Sequence, residues 1–341
     1  MKVSIIIPAY NVERHISRCL NSAITQTLDT SQYEIIVVND CSKDKTLQKI
    51  RKVSVKFNNL FVINNTKTQG PGISRNKAIK ISKGKYIFFL DGDDYIKQST
   101  IKNLYLKAEK NNADVVGYNF TKILKKKKRI FKCRTDLDKL EISKKRLLKN
   151  FLYNEMDGSV IYSFIKKKII LSNNINFKSG VHEDILFIFK VYFFSKKIVK
   201  YNKDLYFKVD RTGSILNSFT TSRILQLIKA YKDVYFFLKK KRKSLAKKYY
   251  SIYIRGLVGC IGTFLIQNFK YCLKNKKIRY KNYLIIFKNI NKYLKKDILP
   301  DITFKDKITQ VYLDEFRKRR NYKKSASNYE KLYKKMKLIK G

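Results

Sequence analysis

Acidic side chains are scarce in this chain. Its 341 residues hold 26 Asp and Glu against 77 Lys and Arg, a formal net charge of +51. The shortage is uneven: residues 1–118 carry 19 basic and 10 acidic side chains, residues 119–341 carry 58 and 16. From Val234 to Lys296 there is no acid at all, against 18 basic residues. Lys, Ile, Asn and Tyr are abundant together, as AT-rich coding favours, but such a bias does not remove acids. A surplus of this size calls for an anionic partner in the C-terminal half: a membrane surface, a phosphorylated lipid or nucleic acid.

Other absences narrow the field. The five cysteines, Cys19, Cys41, Cys133, Cys260 and Cys272, are odd in number and form no C-x-x-C pair. That argues against a disulfide framework or a zinc site and for a reducing, cytoplasmic setting. Long apolar runs are missing. The best candidate, Gly256 to Ile266, falls far short of the ~20 residues a membrane span needs, and the apolar part of the N-terminal MKVSIIIPAYN is too short for a signal peptide. No G-x-G-x-x-G follows the first strand and there is no Walker A loop, which excludes the common dinucleotide and P-loop sites. Neither an internal repeat nor a Pro/Gly linker occurs. The length suits one large domain with an extension.

What is present is organised around Lys85-Tyr86-Ile87-Phe88-Phe89-Leu90-Asp91-Gly92-Asp93-Asp94. Tyr86 to Leu90 reads as a short strand buried on both faces. It breaks into three carboxylates in four positions, with Gly92 supplying a turn. Crowded carboxylates repel and are costly to desolvate unless a cation compensates, so the cluster reads as a divalent-metal site with hard oxygen ligands, Mn²⁺ or Mg²⁺. A solvated Asp-Gly turn is the plainer alternative, and a D-x-D alone does not decide between them.

Around that strand the first third alternates strand and helix. Strands are expected at Val3–Pro8, Tyr33–Val38, Leu60–Ile63, Tyr86–Leu90 and Asp114–Tyr118. Helices are expected from an Asn11 cap, from Asp44 to about Lys56, from Ser74 to Ser82, and from near Ser99. Strands separated by single helices imply an α/β fold with a mostly parallel open sheet and right-handed crossovers. Polar residues gather at the strand ends, where such sheets bind ligands. Pro8-Ala9-Tyr10-Asn11 ends the first strand, Asn39-Asp40 the second and Asp91–Asp94 the central one. Gly70-x-Gly72 precedes a helix bearing Arg75 and Asn76, a setting for phosphate. Each piece alone reads more simply as a cap or turn; four such sets on adjacent strand ends point to a site.

Ile6-Ile7-Pro8-Ala9-Tyr10-Asn11, Val38-Asn39-Asp40-Cys41-Ser42-Lys43-Asp44, Gln69-Gly70-Pro71-Gly72-Ile73-Ser74-Arg75-Asn76 and Asp91–Asp94 together resemble family 2 glycosyltransferases, in order and spacing, over roughly residues 1–120. The resemblance implies a GT-A, Rossmann-like fold, a nucleotide-sugar donor and a divalent cation. By the same resemblance Pro8, Tyr10 and Asp40 hold the nucleoside base with Asn11 nearby. Arg75 and Asn76 lie close to the nucleotide, and Asp91 and Asp93 form the D-x-D that meets ribose and metal-bound diphosphate. Two positions depart from the pattern: Asn39 stands where an Asp is usual and Cys41 where a Gly is usual. Cys41 must therefore tolerate a backbone conformation that favours Gly. Further on, Val181-His182-Glu183-Asp184-Ile185-Leu186-Phe187 resembles the family's E-D motif, with Asp184 as general base, Glu183 beside it and His182 in support. Arg211-Thr212-Gly213-Ser214-Ile215 resembles an element whose Arg211 and Ser214 reach the diphosphate. Read without the family, the first is a helix start with acids favoured by the macrodipole, and the second an ordinary turn.

The chemistry implied is metal-assisted, inverting transfer of a hexose or N-acetylhexosamine, from a UDP-sugar in the main reading, to a hydroxyl of a surface glycan or lipid-linked glycan. Residues 1–221 form the catalytic domain on this reading. Residues 222–341 form a basic helical extension with segments Ile224–Leu238, Leu245–Phe269, Tyr283–Leu294 and Ile308–Leu338. The extension packs on the catalytic domain or on a second copy as a homodimer, and its acid-free face meets an anionic membrane, placing the enzyme at the inner face of the cell membrane. The competing class is a non-catalytic basic protein binding nucleic acid or anionic polymer through Lys125–Arg129 and Lys239–Lys243. No base-reading motif supports it, and no nucleic acid is expected. A sugar nucleotidyltransferase would want a Gly-rich basic loop after the first strand, which Pro8-Ala9-Tyr10-Asn11 does not supply.

Overall fold

The computed structural model describes residues 1–123, 128–131, 144–152, 158–209, 221–250 and 252–253. The chain divides into two compact units, Met1–Phe151 with Glu155–Asn217, and Leu152–Asn154 with Ser218–Gly341.

Among the described residues, the first unit is built on one nine-stranded sheet. Its N-terminal half follows from four apolar runs: β1 (Val3–Ala9), β2 (Tyr33–Asn39), β3 (Leu60–Asn64) and β4 (Tyr86–Phe89). β1, β2 and β4 are buried along their whole length, as strands covered by helices on both faces must be. β1 lies between β2 and β4 and β3 is outermost, all pairing in parallel. The crossovers are α1 (Ile16–Ile24), α2 (Thr46–Ser54) and α3 (Pro71–Ile81).

Beyond β4 the sheet becomes mixed. β5 (Tyr95–Ile96) and α4 (Thr100–Lys110) lead to β6 (Val115–Ile123) and β7 (Lys128–Phe131). α5 (Lys144–Leu152), β8 (Ser163–Lys166), α6 (Lys167–Ser172), α7 (Glu183–Phe194) and β9 (Ile198–Val209) follow. β8 inserts antiparallel between β4 and β6, β9 runs parallel to β6 across a register shift at Tyr118–Phe120, and β5 caps the far edge. α7 is apolar on nearly every side from Ile185 to Tyr192 and lies in the core. Phe187 stacks on Phe177 with ring centroids 3.7 Å apart.

In the second unit α8 (Thr221–Lys241) is followed by further helix over 243–250. Tyr235 stacks on Tyr253 at 4.7 Å and meets Tyr250 at 5.5 Å, so the chain folds back between them. The expected helices Tyr283–Leu294 and Ile308–Leu338, and most of Leu245–Phe269, lie outside the described residues. Among the described residues no helix is long and apolar enough to cross a membrane.

Candidate active site

The ends of β1, β2 and β4 sit side by side, so the loops that follow them share one sheet edge. After β1 the backbone does not enter a helix at once. Asn11 takes a left-handed conformation (φ 49°), its N–H donates to Ser42 Oγ (3.1 Å) and its side-chain oxygen accepts from the Lys43 N–H (2.9 Å). The expected Asn11 helix cap is thereby corrected: the residue ties the first loop to the second, and α1 starts only at Ile16. Tyr10 beside it is 41% exposed, an open aromatic face at a strand end, while Pro8 is buried.

Asp40 organises the second loop. Its N–H donates to the Ala9 carbonyl (2.8 Å). Its buried carboxylate accepts from Asn65 Nδ2 (2.7 Å), from the Gln69 N–H (3.0 and 3.1 Å) and from the Gly70 N–H (2.8 Å). One side chain thus fixes the turn that starts α3. Gly70 sits there at φ 87°, with Pro71 opening the helix. Cys41 takes φ 60°, the left-handed conformation that a Gly would take without strain.

α3 carries Arg75 under the edge. Its guanidinium is 5% exposed and bridges two carboxylates from distant parts of the chain: Nη2 to Asp91 Oδ1 (2.8 Å) and Nη1 to Glu183 Oε1 (2.7 Å). Burial alone would lower its pKa, but Asp91, Glu183 and Asp184 outweigh burial and hold it above the ordinary arginine value. A buried cation between carboxylates is in the arrangement its charge requires. The Arg75 ring neighbour is Phe177, 5.4 Å from the guanidinium carbon. Asn76 clamps that same residue: its Nδ2 donates to the Phe177 carbonyl and its Oδ1 accepts from the Phe177 N–H, each at 2.9 Å. Its amide is spent on backbone. Gly72 is needed for this closeness, since a Cβ there would lie 2.7 Å from Glu183 Cγ and 2.8 Å from the Lys178 carbonyl oxygen.

The central loop follows. Asp91, Asp93 and Asp94 each bring a carboxylate oxygen within 4.8 Å of the others. They are not equivalent. Asp94 is 2% exposed; it accepts from the Tyr206 hydroxyl (2.6 Å) and the Val209 N–H (2.8 Å), and burial, then Asp93 and Asp91, push its carboxyl well above the usual range. The Tyr206 hydroxyl in turn accepts from the Asp91 N–H (3.1 Å), so β9 holds both ends of the loop. Asp94 is occupied with structure, whereas Asp91 and Asp93 are partly exposed hard oxygen donors of the kind Mg²⁺ or Mn²⁺ takes. Gly92 lets the loop close on β1, where a Cβ would come within 3.0 Å of the Pro8 carbonyl oxygen.

α7 opens with Glu183 and Asp184 in its first turn, preceded by His182 in a left-handed conformation (φ 64°). Glu183 is committed to Arg75. Asp184 is half-buried and near enough to act on the same guanidinium. Pro8, Tyr10, Asn11, Asp40, Arg75, Asp91, Asp93, Glu183 and Asp184 therefore come together. Asn76 is turned to Phe177, and Arg211 and Ser214 lie outside the described residues. Tyr206 and Phe177 carry no sequence signal of their own. Gly72 did carry one, in the spacing of Gly70 and Gly72.

Comparison with known proteins agrees with this architecture. The profile of Glycosyl transferase family 2 matches residues 4–171. A poly(ribitol-phosphate) beta-glucosyltransferase of Bacillus spizizenii is 33% identical over 229 residues, 62% of this chain and 33% of that protein. The chain thus spans about a third of that relative's length. The poly(ribitol-phosphate) beta-N-acetylglucosaminyltransferase TarP of Staphylococcus aureus is 30% identical over 246 residues, 69% of each chain. The crystal structure of S. aureus TarS 1-349 in complex with UDP-GlcNAc superposes with a TM-score of 0.68 at 21% identity, covering 99% of this chain and 92% of that one. The fold is that of the GT-A class. The chain belongs to glycosyltransferase family 2.

Proposed function

We propose that the chain is an inverting glycosyltransferase, moving a hexose or N-acetylhexosamine from a UDP-sugar to a hydroxyl of a phosphate-rich surface glycan. Residues 1–221 would be the catalytic domain and 222–341 an extension that meets an anionic membrane at its cytoplasmic face. The observation that carries the reading is the Arg75 bridge. It joins Asp91, on the loop that would face the donor, to Glu183, next to the base and 108 residues from Arg75 in sequence. The names of the Bacillus and TarP relatives support a polyol-phosphate acceptor and a β product.

On this reading Tyr10 lies against the nucleoside base, with Pro8 and Asp40 shaping its pocket and Asn11 bracing the loop. Asp91 faces the ribose, and Arg211 with Ser214 would reach the diphosphate. Asp93 and Asp91 would hold Mn²⁺ or Mg²⁺, which when bound neutralises the charge of the leaving diphosphate. Asp184 accepts the proton of the acceptor hydroxyl, whose oxygen attacks the anomeric carbon opposite the leaving nucleotide. One base and no enzyme nucleophile give inversion. Glu183 is the poorer candidate for base, because its Oε1 already accepts from Arg75. Asn76 has a positioning part, holding Phe177 under Arg75.

The test is incubation of the full chain with Mn²⁺ and a panel of nucleotide-sugars, scoring release of nucleoside diphosphate. One donor should be turned over, and Asp93→Ala should abolish turnover. Activity at wild-type level in chelator would remove the metal from the reading. No turnover of any donor, with tight RNA binding, would favour the basic-binder alternative.

A further inference from the structure

The corner that follows α8 concentrates charge more sharply than composition requires. Lys239, Lys240, Lys241, Arg242, Lys243 and Ser244 are consecutive and all exposed, and Lys247 and Lys248 are exposed one turn later. Because Tyr235 meets Tyr250 and Tyr253, these cations occupy a tip where the chain reverses. No acid lies between Val234 and Lys296 in sequence to neutralise them. Five adjacent cations repel one another, and an anionic surface relieves that repulsion. At its base Phe236 is 52% exposed, a large apolar ring on the α8 turn that precedes the cations.

We propose that this tip is a membrane-docking element, with Lys239–Lys243 lying on anionic phospholipid headgroups and the Phe236 ring entering the interface. The inference rests on the reading above that the extension meets a membrane, and names the residues that do so. Lipid suits the tip better than nucleic acid. Binders of single-stranded nucleic acid expose aromatic platforms for bases, whereas here Tyr249 and Tyr253 are buried and the half-buried Tyr235 is stacked on Tyr253. The exposed charged and aromatic side chains of the tip are a block of point charges and one ring without a hydrogen-bonding group, Phe236, the other rings being half-buried or buried. Such a surface reads no sequence but fits a charged leaflet over an apolar layer.

The test is co-sedimentation of the full chain with phosphatidylglycerol and phosphatidylcholine vesicles at low and high salt. Three variants are compared with the wild type. One carries Lys239, Lys240, Lys241, Arg242 and Lys243 changed to Gln, and a second carries Phe236→Ser. The third is a matched control with the exposed Lys52, Lys56, Lys80, Lys102 and Lys110 changed to Gln. Wild type should bind phosphatidylglycerol selectively and release it with salt, over a screening length of ~10 Å at 0.1 M. The tip variant should bind at least about a hundred-fold more weakly, Phe236→Ser a few-fold more weakly, and the control nearly as wild type. Equal losses in tip and control variants would make the attraction one of net charge and overturn the proposal. So would equal binding to both lipids, or displacement from vesicles by RNA at trace concentration. Donor turnover without acceptor is read in parallel and should be unchanged in the tip variant. If no variant turns over donor while the vesicle pattern holds, docking stands and the transferase reading falls.

Discussion

Two side chains in one helical turn separate at the residue scale. Glu183 and Asp184 look alike in sequence, and a family motif does not say which one takes the proton. Glu183 is ion-paired with Arg75, whereas Asp184, half-buried beside it, is the base on the proposed reading. Asp184→Asn should leave fold and donor affinity intact and cut kcat by about 10²–10⁴, the usual worth of a general base. Glu183→Gln should instead cost stability, about 3 kcal/mol, because it leaves the buried guanidinium short of a charge. Calorimetry and steady-state kinetics on the two variants separate these outcomes, and the reverse pattern would exchange the roles. Cys41 is the other telling residue. Its left-handed backbone costs an L-residue about 1–2 kcal/mol, more than the ~0.5–1 kcal/mol of extra chain freedom a Gly must give up. Cys41→Gly should therefore raise the unfolding free energy slightly, by no more than about 1 kcal/mol, seen as a higher denaturant midpoint. A lower midpoint would mean that the Sγ contact to the Thr66 carbonyl matters more than the strain.

Elements were legible where a single physical cause fixed them. β1, β2 and β4 are continuous apolar runs because both faces are covered, and the expected spans differ from the observed ones by a residue or so at their C-terminal ends. α3 begins earlier than expected, at Pro71, which suits the first helical position, and Asp40 holds the turn before it from 30 residues away. β9 has no such run. Ile198–Val209 carries Lys200, Lys203 and Lys208 and reads as polar, yet it forms a strand because β6 offers a partner along its length. The clearest loss was Tyr206, whose hydroxyl joins Asp94 and Asp91 from 112 and 115 residues away. Tyr206→Phe removes both bonds. It should lower unfolding free energy by about 1–3 kcal/mol, the cost of a buried polar group left without its partner, and raise KM for the donor as Asp91 loosens. Unchanged stability and KM would show that the loop holds itself.

For the whole molecule, charge is the dominant fact. With 77 cations against 26 acids, basic side chains outnumber acidic ones about three to one. Self-repulsion of this kind destabilises the compact state and is relieved by salt. Melting temperature should rise from low to moderate NaCl, by about 2–4 °C for each kcal/mol of repulsion relieved at this size. A fall with salt would mean that ion pairs such as Lys85–Glu109 contribute more than repulsion costs.

The antiparallel β8 beside β4 has a consequence for the order in which the chain is made. β1 to β4 leave the ribosome first and can pair among themselves, but β4 keeps one side unpaired until Ser163–Lys166 has been synthesised. For about seventy residues of elongation this fully buried apolar strand has an open edge, the kind to which another nascent chain adds. Only four residues long, β4 offers little template, and Lys85 stands at its start.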